Sequence, residues 1–98
     1  MSQRIDVVAH LHAAPGEEAL FRQVLEGFVE PTRREKGCLR YDLFEDLDHP
    51  GQFTFIEEWA TREDLNRHGQ SAHIAAGRAR IDGKYATPAW IQVLRRVV

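Results

Sequence analysis

Four segments with strand character, at residues 4–12, 38–46, 52–60 and 89–97, are separated by helical patterns only after the first and after the third. That order leaves few architectures open. The first segment alternates strictly, with Ile5, Val7, Ala9 and Leu11 on one side and Asp6, Val8, His10 and His12 on the other. Pro15-Gly16 turns the chain, and Glu17-Glu18 put acid in the first turn of a helix, where the helix dipole favours it. Apolar pairs at Leu20-Phe21, Val24-Leu25 and Phe28-Val29 give that helix one broad apolar face. Pro31 would crowd the carbonyl of Gly27, so a kink or break is expected there. Thr32 and Glu35 have capping-box spacing and could restart a last turn, which Gly37 ends.

The second and third strands flank the turn-rich run Asp46-Leu47-Asp48-His49-Pro50-Gly51. Thr61 with Asp64 again has capping-box spacing and opens a second helical region. Gly69 interrupts that region, and Ser71 can cap a further piece carrying Ala72, Ala75, Ala76 and Ala79. With no repeat, low-complexity tract or linker, residues 1–98 read as a single domain. The expected fold is α+β and ferredoxin-like: β-α-β-β-α-β, a four-stranded antiparallel sheet with the helices on one face.

Alternation then sorts the side chains. Ile5, Val7, Ala9, Leu11, Leu39, Tyr41, Leu43, Phe53, Phe55, Trp59, Ile91 and Val93 should face the helices. The opposite face receives Val8, His10, Cys38, Arg40, Asp42, Phe44, Thr54, Ile56, Glu58, Trp90, Gln92 and Leu94. That face carries too many large apolar groups for open water, and no element remains to cover it. A second copy of the same sheet would cover it, so a homodimer is expected, with Arg40, Asp42 and Glu58 as candidates for charge pairs across or beside the interface. Cys38, beside that face, reads as a small buried hydrophobe.

Composition narrows the function classes. Lysine and arginine number 13 against 15 acids, a formal net charge of −2, and no basic stripe points to nucleic acid or an anionic membrane. No stretch approaches the ~20 apolar residues of a membrane span. His10 and His12 interrupt any signal-peptide-like run, and a single cysteine fits a reducing compartment, so a cytoplasmic location is expected. There is no Gly-rich phosphate loop, nucleophile elbow or Cys-x-x-Cys to support nucleotide-dependent or covalent chemistry. His10 and His12 share a strand face, yet no third ligand stands at a recognisable distance, and no metal site is expected.

One residue does not suit its face. The third strand presents Phe53, Phe55, Glu57 and Trp59 to the core, and a carboxylate among three aromatics is costly unless paired, protonated or wetted. A local bulge or a nearby arginine could resolve it structurally. His68, three residues after Leu65 on the helix expected over this face, offers a functional resolution: an imidazole and a carboxylate in one aromatic pocket, as acid–base chemistry requires.

The strings carrying these features are Pro31-Thr32-Arg33-Arg34-Glu35-Lys36-Gly37-Cys38-Leu39-Arg40-Tyr41-Asp42-Leu43, Phe55-Ile56-Glu57-Glu58-Trp59, His68, and Ser71-Ala72-His73-Ile74. In order and spacing they resemble the antibiotic biosynthesis monooxygenase domain, and most of all its quinol-monooxygenase branch. The resemblance implies a dimeric α/β barrel of ferredoxin-like units with a cleft between sheet and helices. It also implies oxidation of hydroxylated aromatics by dioxygen without flavin, haem or metal. By position Glu57, Trp59, His68 and His73 match the family's motif. On that reading His68 and Glu57 are catalytic, and Trp59, Phe55, Phe53, Tyr41, His73 and Leu11 contact the substrate. Members acting on polycyclic anthrone-type substrates carry an asparagine where Phe55 stands. Haem-degrading relatives carry one where Leu11 stands, and the haem-ligating histidine would fall near Arg78. The same pocket would also suit an isomerase, or a non-catalytic binder or sensor of small apolar ligands.

Overall fold

The computed structural model describes residues 3–98. Its elements follow the expected order, with the second helical region in two pieces: β1 (Ile5–Ala13), α1 (Glu18–Arg33), β2 (Cys38–Glu45), β3 (Gln52–Trp59), α2 (Arg62–Gly69), α3 (Ala72–Ile81) and β4 (Tyr85–Leu94). The four strands form one antiparallel sheet in the order β2-β3-β1-β4, the ferredoxin-like arrangement. No helix is long and apolar enough to cross a membrane.

The core forms where the apolar stripe of α1 meets the sheet. Phe21, Val24, Leu25 and Phe28 of α1 are buried, as are Val7, Ala9, Tyr41, Phe53, Phe55 and Trp59 on the facing strands. Each large side chain in this set contributes about 1.5–3 kcal/mol by leaving water. α3 buries Ile74, Gly77 and Ile81, and its alanines at 72, 75, 76 and 79 turn outward. Gly77 sets the α1–α3 approach, since a Cβ there would lie 2.1 Å from Cε1 of Phe28.

Several local expectations are corrected. Pro31 neither breaks α1 nor ends it: the helix runs on to Arg33. Pro31 falls in the last turn, where its missing N–H costs a single rung, and the turn closes by bonds from Arg34 N–H to Pro31 O (3.3 Å) and Glu35 N–H to Thr32 O (2.9 Å). Thr32 and Glu35 do not form a capping box; their side chains are drawn into contacts with histidines of α2 and α3. The Thr61 cap is as expected, its Oγ1 accepting from Asp64 N–H at 3.1 Å. Ser71 stands at the N-cap position of α3, but its hydroxyl donates to the His68 carbonyl instead.

The faces of Cys38 and Leu39 are exchanged relative to simple alternation. Cys38 pairs with Trp59 and Arg40 with Glu58, so Leu39 is the extra residue of a bulge. Cys38 therefore packs against the core and Leu39 is exposed. β4 starts at Tyr85, four residues earlier than expected, and departs from regular register between its pairings with His10, His12 and Ala13. Pro88 lies in this irregular stretch of an edge strand, the setting in which a residue without an N–H is tolerated. Ile91 and Val93 do sit opposite Ala9 and Val7, but at the sheet edge both stay exposed.

On the opposite face Arg40 pairs with Asp42 at 2.7 Å and approaches Glu58 at 3.8 Å, so these charges satisfy one another within the chain. Around them Phe44, Trp90 and Leu94 are exposed, and Val8 and Ile56 half-buried.

Candidate active site

A cavity of about 100 Å³ lies between the sheet and the α1–α3 layer. Its apolar wall includes Leu11, Phe28, Tyr41, Phe55 and Ile74, and its polar groups are Glu57, His68 and Arg78. An apolar cavity of roughly 150 Å³ accepts benzene, so the enclosed part of this one is on the scale of a single ring. The space continues toward a groove flanked by Val7, Leu65 and Ile91, which shares Glu57, His68 and Arg78.

β3 delivers Glu57 to this cavity because its side chains alternate, and the neighbouring register places Val7 and Tyr41 on either side of it. The residue is 4% exposed. Its Oε1 accepts from the indole Nε1–H of Trp59 at 2.9 Å. Burial pushes the Glu57 carboxyl up from 4.5 to about 7, with the Trp59 hydrogen bond acting against that rise and the charge of Glu35 adding to it. Among the described residues Oε2 has no protein partner, and no buried side-chain oxygen lacks one, so Oε2 lies open to the cavity. When Glu57 is protonated, Oε2 is the oxygen free to carry the proton.

His68 reaches the same cavity from α2, in the last turn before Gly69 ends the helix. Its ring packs on Trp59 with centroids 4.9 Å apart and edge-on to Tyr41 at 5.4 Å; Tyr41 stacks on Phe55 at 4.6 Å. Burial lowers the pKa of His68, and a hydrogen bond with Glu35 resists that fall. Burial raises that of the Tyr41 phenol well above its ordinary value, which makes it a poor acid here.

Glu57 and His68 therefore share the cavity, but His68 pairs with a different carboxylate. Its Nδ1 lies 2.7 Å from Oε2 of Glu35, and Nε2 of His73 lies 3.3 Å from the same oxygen. Thr32 Oγ1 is 2.9 Å from His73 Nε2. Sequence spacing assigns Glu35 only to a capping box, and no sequence signal marks it as facing the α2–α3 junction, where His68 and His73 stand. Among the described residues Glu35, His68 and His73 are the group of three whose ligand atoms, all within 4.8 Å, could hold a metal ion. Among the described residues His10 and His12 belong to no such group; His10 stacks on Trp90 at 5.2 Å and lies 3.3 Å from Gln92 Oε1.

Of the residues expected at the substrate, Tyr41, Phe55 and Leu11 line the cavity with Glu57 and His68. Trp59 is fully buried behind the wall and acts on Glu57 and His68. His73 stands one layer back, beside Glu35. Phe53 lies away from the cavity, its ring under the Arg22 guanidinium at 5.6 Å.

A family model described as "Antibiotic biosynthesis monooxygenase" matches residues 4–80. The chain is 31% identical over 94 residues to a Mycobacterium tuberculosis protein named "Putative monooxygenase Rv0793", covering 96% of this chain and 92% of that one. YcnE of Bacillus subtilis, which carries the same description, is 28% identical over 87 residues, covering 89% and 90%. Among solved structures, PA3566 from Pseudomonas aeruginosa superposes with a TM-score of 0.92 at 31% identity, covering 100% of this chain and 98% of that one. The structure of Rv0793 superposes with a TM-score of 0.89 at 29% identity, covering 97% and 96%.

Proposed function

The chain belongs to the antibiotic biosynthesis monooxygenase family, and from that premise we propose that it is a cofactor-free monooxygenase of small hydroxylated aromatics, with dioxygen as co-substrate and His68 as base. One observation carries this reading. A carboxyl group with a pKa near 7 and an imidazole of lowered pKa open onto a single-ring-sized cavity walled by Phe55 and Tyr41.

With a hydroquinone bound, the ring hydroxyl gives its proton to His68, and the resulting anion is electron-rich enough to reduce dioxygen directly. A carbon–oxygen bond forms, and the proton returns from His68 to give a ring hydroperoxide. His68 then takes the C–H proton at that carbon while Glu57 Oε2–H protonates the departing oxygen. The O–O bond breaks, one oxygen stays as a quinone carbonyl and the other leaves as water. His68 and Glu57 exchange their proton through water and are restored. The sum is hydroquinone plus dioxygen to hydroxyquinone plus water. The apolar wall keeps bulk water from the intermediate. His68 must be neutral and Glu57 protonated, so the rate falls as pH drops below the His68 pKa and falls again above about 7.

The working unit in this proposal is a homodimer in which a second copy covers Trp90, Phe44 and Leu94 on the outer sheet face. An oxygen electrode with a panel of hydroquinones and naphthols tests the reaction. Oxygen uptake coupled to quinone formation is expected, and His68→Ala should cut turnover by about 10²–10⁴ while the fold is kept. Turnover without oxygen uptake would replace this reading with an isomerase. Tight binding without turnover would replace it with a binding protein.

A further inference from the structure

We infer that Glu35 is a positioning residue, held by His73 and the Gly37 turn, that fixes His68 with Nε2 directed to the substrate; the inference rests on the proposed role of His68 as base. A carboxylate only accepts hydrogen bonds, so the 2.7 Å contact with Glu35 Oε2 requires His68 to carry its proton on Nδ1. Nε2 is then the nitrogen with the free lone pair. Among the described residues it has no protein partner, and no buried ring nitrogen lacks one, which leaves Nε2 open to the cavity that His68 lines.

Glu35 is itself held. Its Oε2 is 3.3 Å from His73 Nε2, which Thr32 Oγ1 also contacts at 2.9 Å. Thr32 is fully buried, so this end of the network is anchored in the core. The backbone is fixed two residues on by Gly37, whose φ of +81° favours glycine and whose carbonyl accepts from Ala60 N–H at 2.8 Å. A Cβ on Gly37 would lie 2.0 Å from Asp64 Oδ2, so the turn bearing Glu35 sits directly on α2, the helix bearing His68. The arrangement repeats the logic of any base oriented by a hydrogen-bonded acid: one tautomer is selected, and the imidazolium formed on proton uptake meets a counter-charge.

The groups acting on His68 are Glu35, His73 and Arg78, with Tyr41 and Trp59 against its ring and Glu57 sharing its cavity. Glu35 supplies the influence that raises its pKa, so removing that charge should lower it further. The test uses the full-length protein with nitrogen-15-labelled histidine, in wild type, Glu35→Gln and Glu35→Asp. Long-range proton–nitrogen NMR should show wild-type His68 as the Nδ1–H tautomer. Glu35→Gln should lower its titration midpoint, move the acid limb of the kcat profile to the same lower pH, and cut kcat by about tenfold to hundredfold with KM changed less. Glu35→Asp should recover part of the loss. An Nε2–H tautomer in the wild type would overturn the inference, as would a Glu35→Gln protein with unchanged tautomer, midpoint and kcat. Purified wild type carrying one Zn²⁺ per chain, lost in Glu35→Gln, would also overturn it by making the cluster a metal site. If wild type turns over no substrate, the proposed reaction fails while the tautomer and midpoint still judge the role of Glu35.

Discussion

Glu57→Gln should make the protein more stable, and by an amount that depends on pH. The buried carboxyl has a folded-state pKa of about 7 against 4.5 for an ordinary glutamate. Between those values the folded state binds more protons than the unfolded state, so stability falls as pH rises through this window. Below 4.5 the burden is absent, and above 7 it is complete. A difference of about 2.5 pKa units corresponds to roughly 3 kcal/mol, of which about 2–3 kcal/mol develops between pH 5 and pH 8. The glutamine side chain would keep the shape and an oxygen to accept from the Trp59 indole, and would remove only the charge. Urea unfolding of both proteins at fixed concentration across this range should show the glutamine variant gaining that amount relative to wild type. In thermal terms the gain is roughly 10–20 °C in Tm at pH 8. Contributions from His68 and the other titrating groups are common to both proteins and largely cancel in the difference. A difference between the two proteins that stays flat from pH 5 to pH 8 would refute the reasoning, because Glu57 would then titrate as an ordinary exposed carboxylate.

Gly77→Ala should destabilise by about 1–3 kcal/mol in urea unfolding, because the added methyl meets the Phe28 ring and either α3 or that ring must shift. Ile56→Glu or Leu94→Glu should convert the proposed dimer to monomer or aggregate by placing an unpaired charge in its outer-face interface; a well-folded wild-type monomer at micromolar concentration in light scattering would refute the dimer. Burial, with Glu35 and Glu57 adding to it, pushes the Cys38 thiol up to about 11. At pH 8 its alkylation should therefore run about a hundredfold slower than that of a free thiol, followed by mass spectrometry.

Local rules were enough for the fold and for the odd carboxylate. Period-two alternation in β1 and β3 is a property of the extended backbone itself, so it places Phe53, Phe55, Glu57 and Trp59 on the core side whatever they come to touch. The four-residue recurrence of α1 and the Thr61–Asp64 cap are equally local, and both survive unchanged. Where two elements had to agree, local rules failed. The bulge at Leu39 is decided by how β2 registers on β3, and it exchanges the faces of Leu39 and Cys38. Pro31 is tolerated because its lost hydrogen bond falls in a final turn closed by short local bonds and tied down through Thr32 to His73 and Arg33 to the Tyr41 carbonyl. The site shows the same division. Alternation and helical spacing could bring Glu57 and His68 to one cavity, since each depends on a single element's geometry. The partner of His68 could not be read that way. Glu35 and His68 are 33 residues apart, and Thr32–Glu35 has the spacing of a helix cap. What overrides that local use is the packing of α2 and α3 against the end of α1, which offers the carboxylate two imidazoles in place of a backbone N–H and so decides which acid pairs with His68.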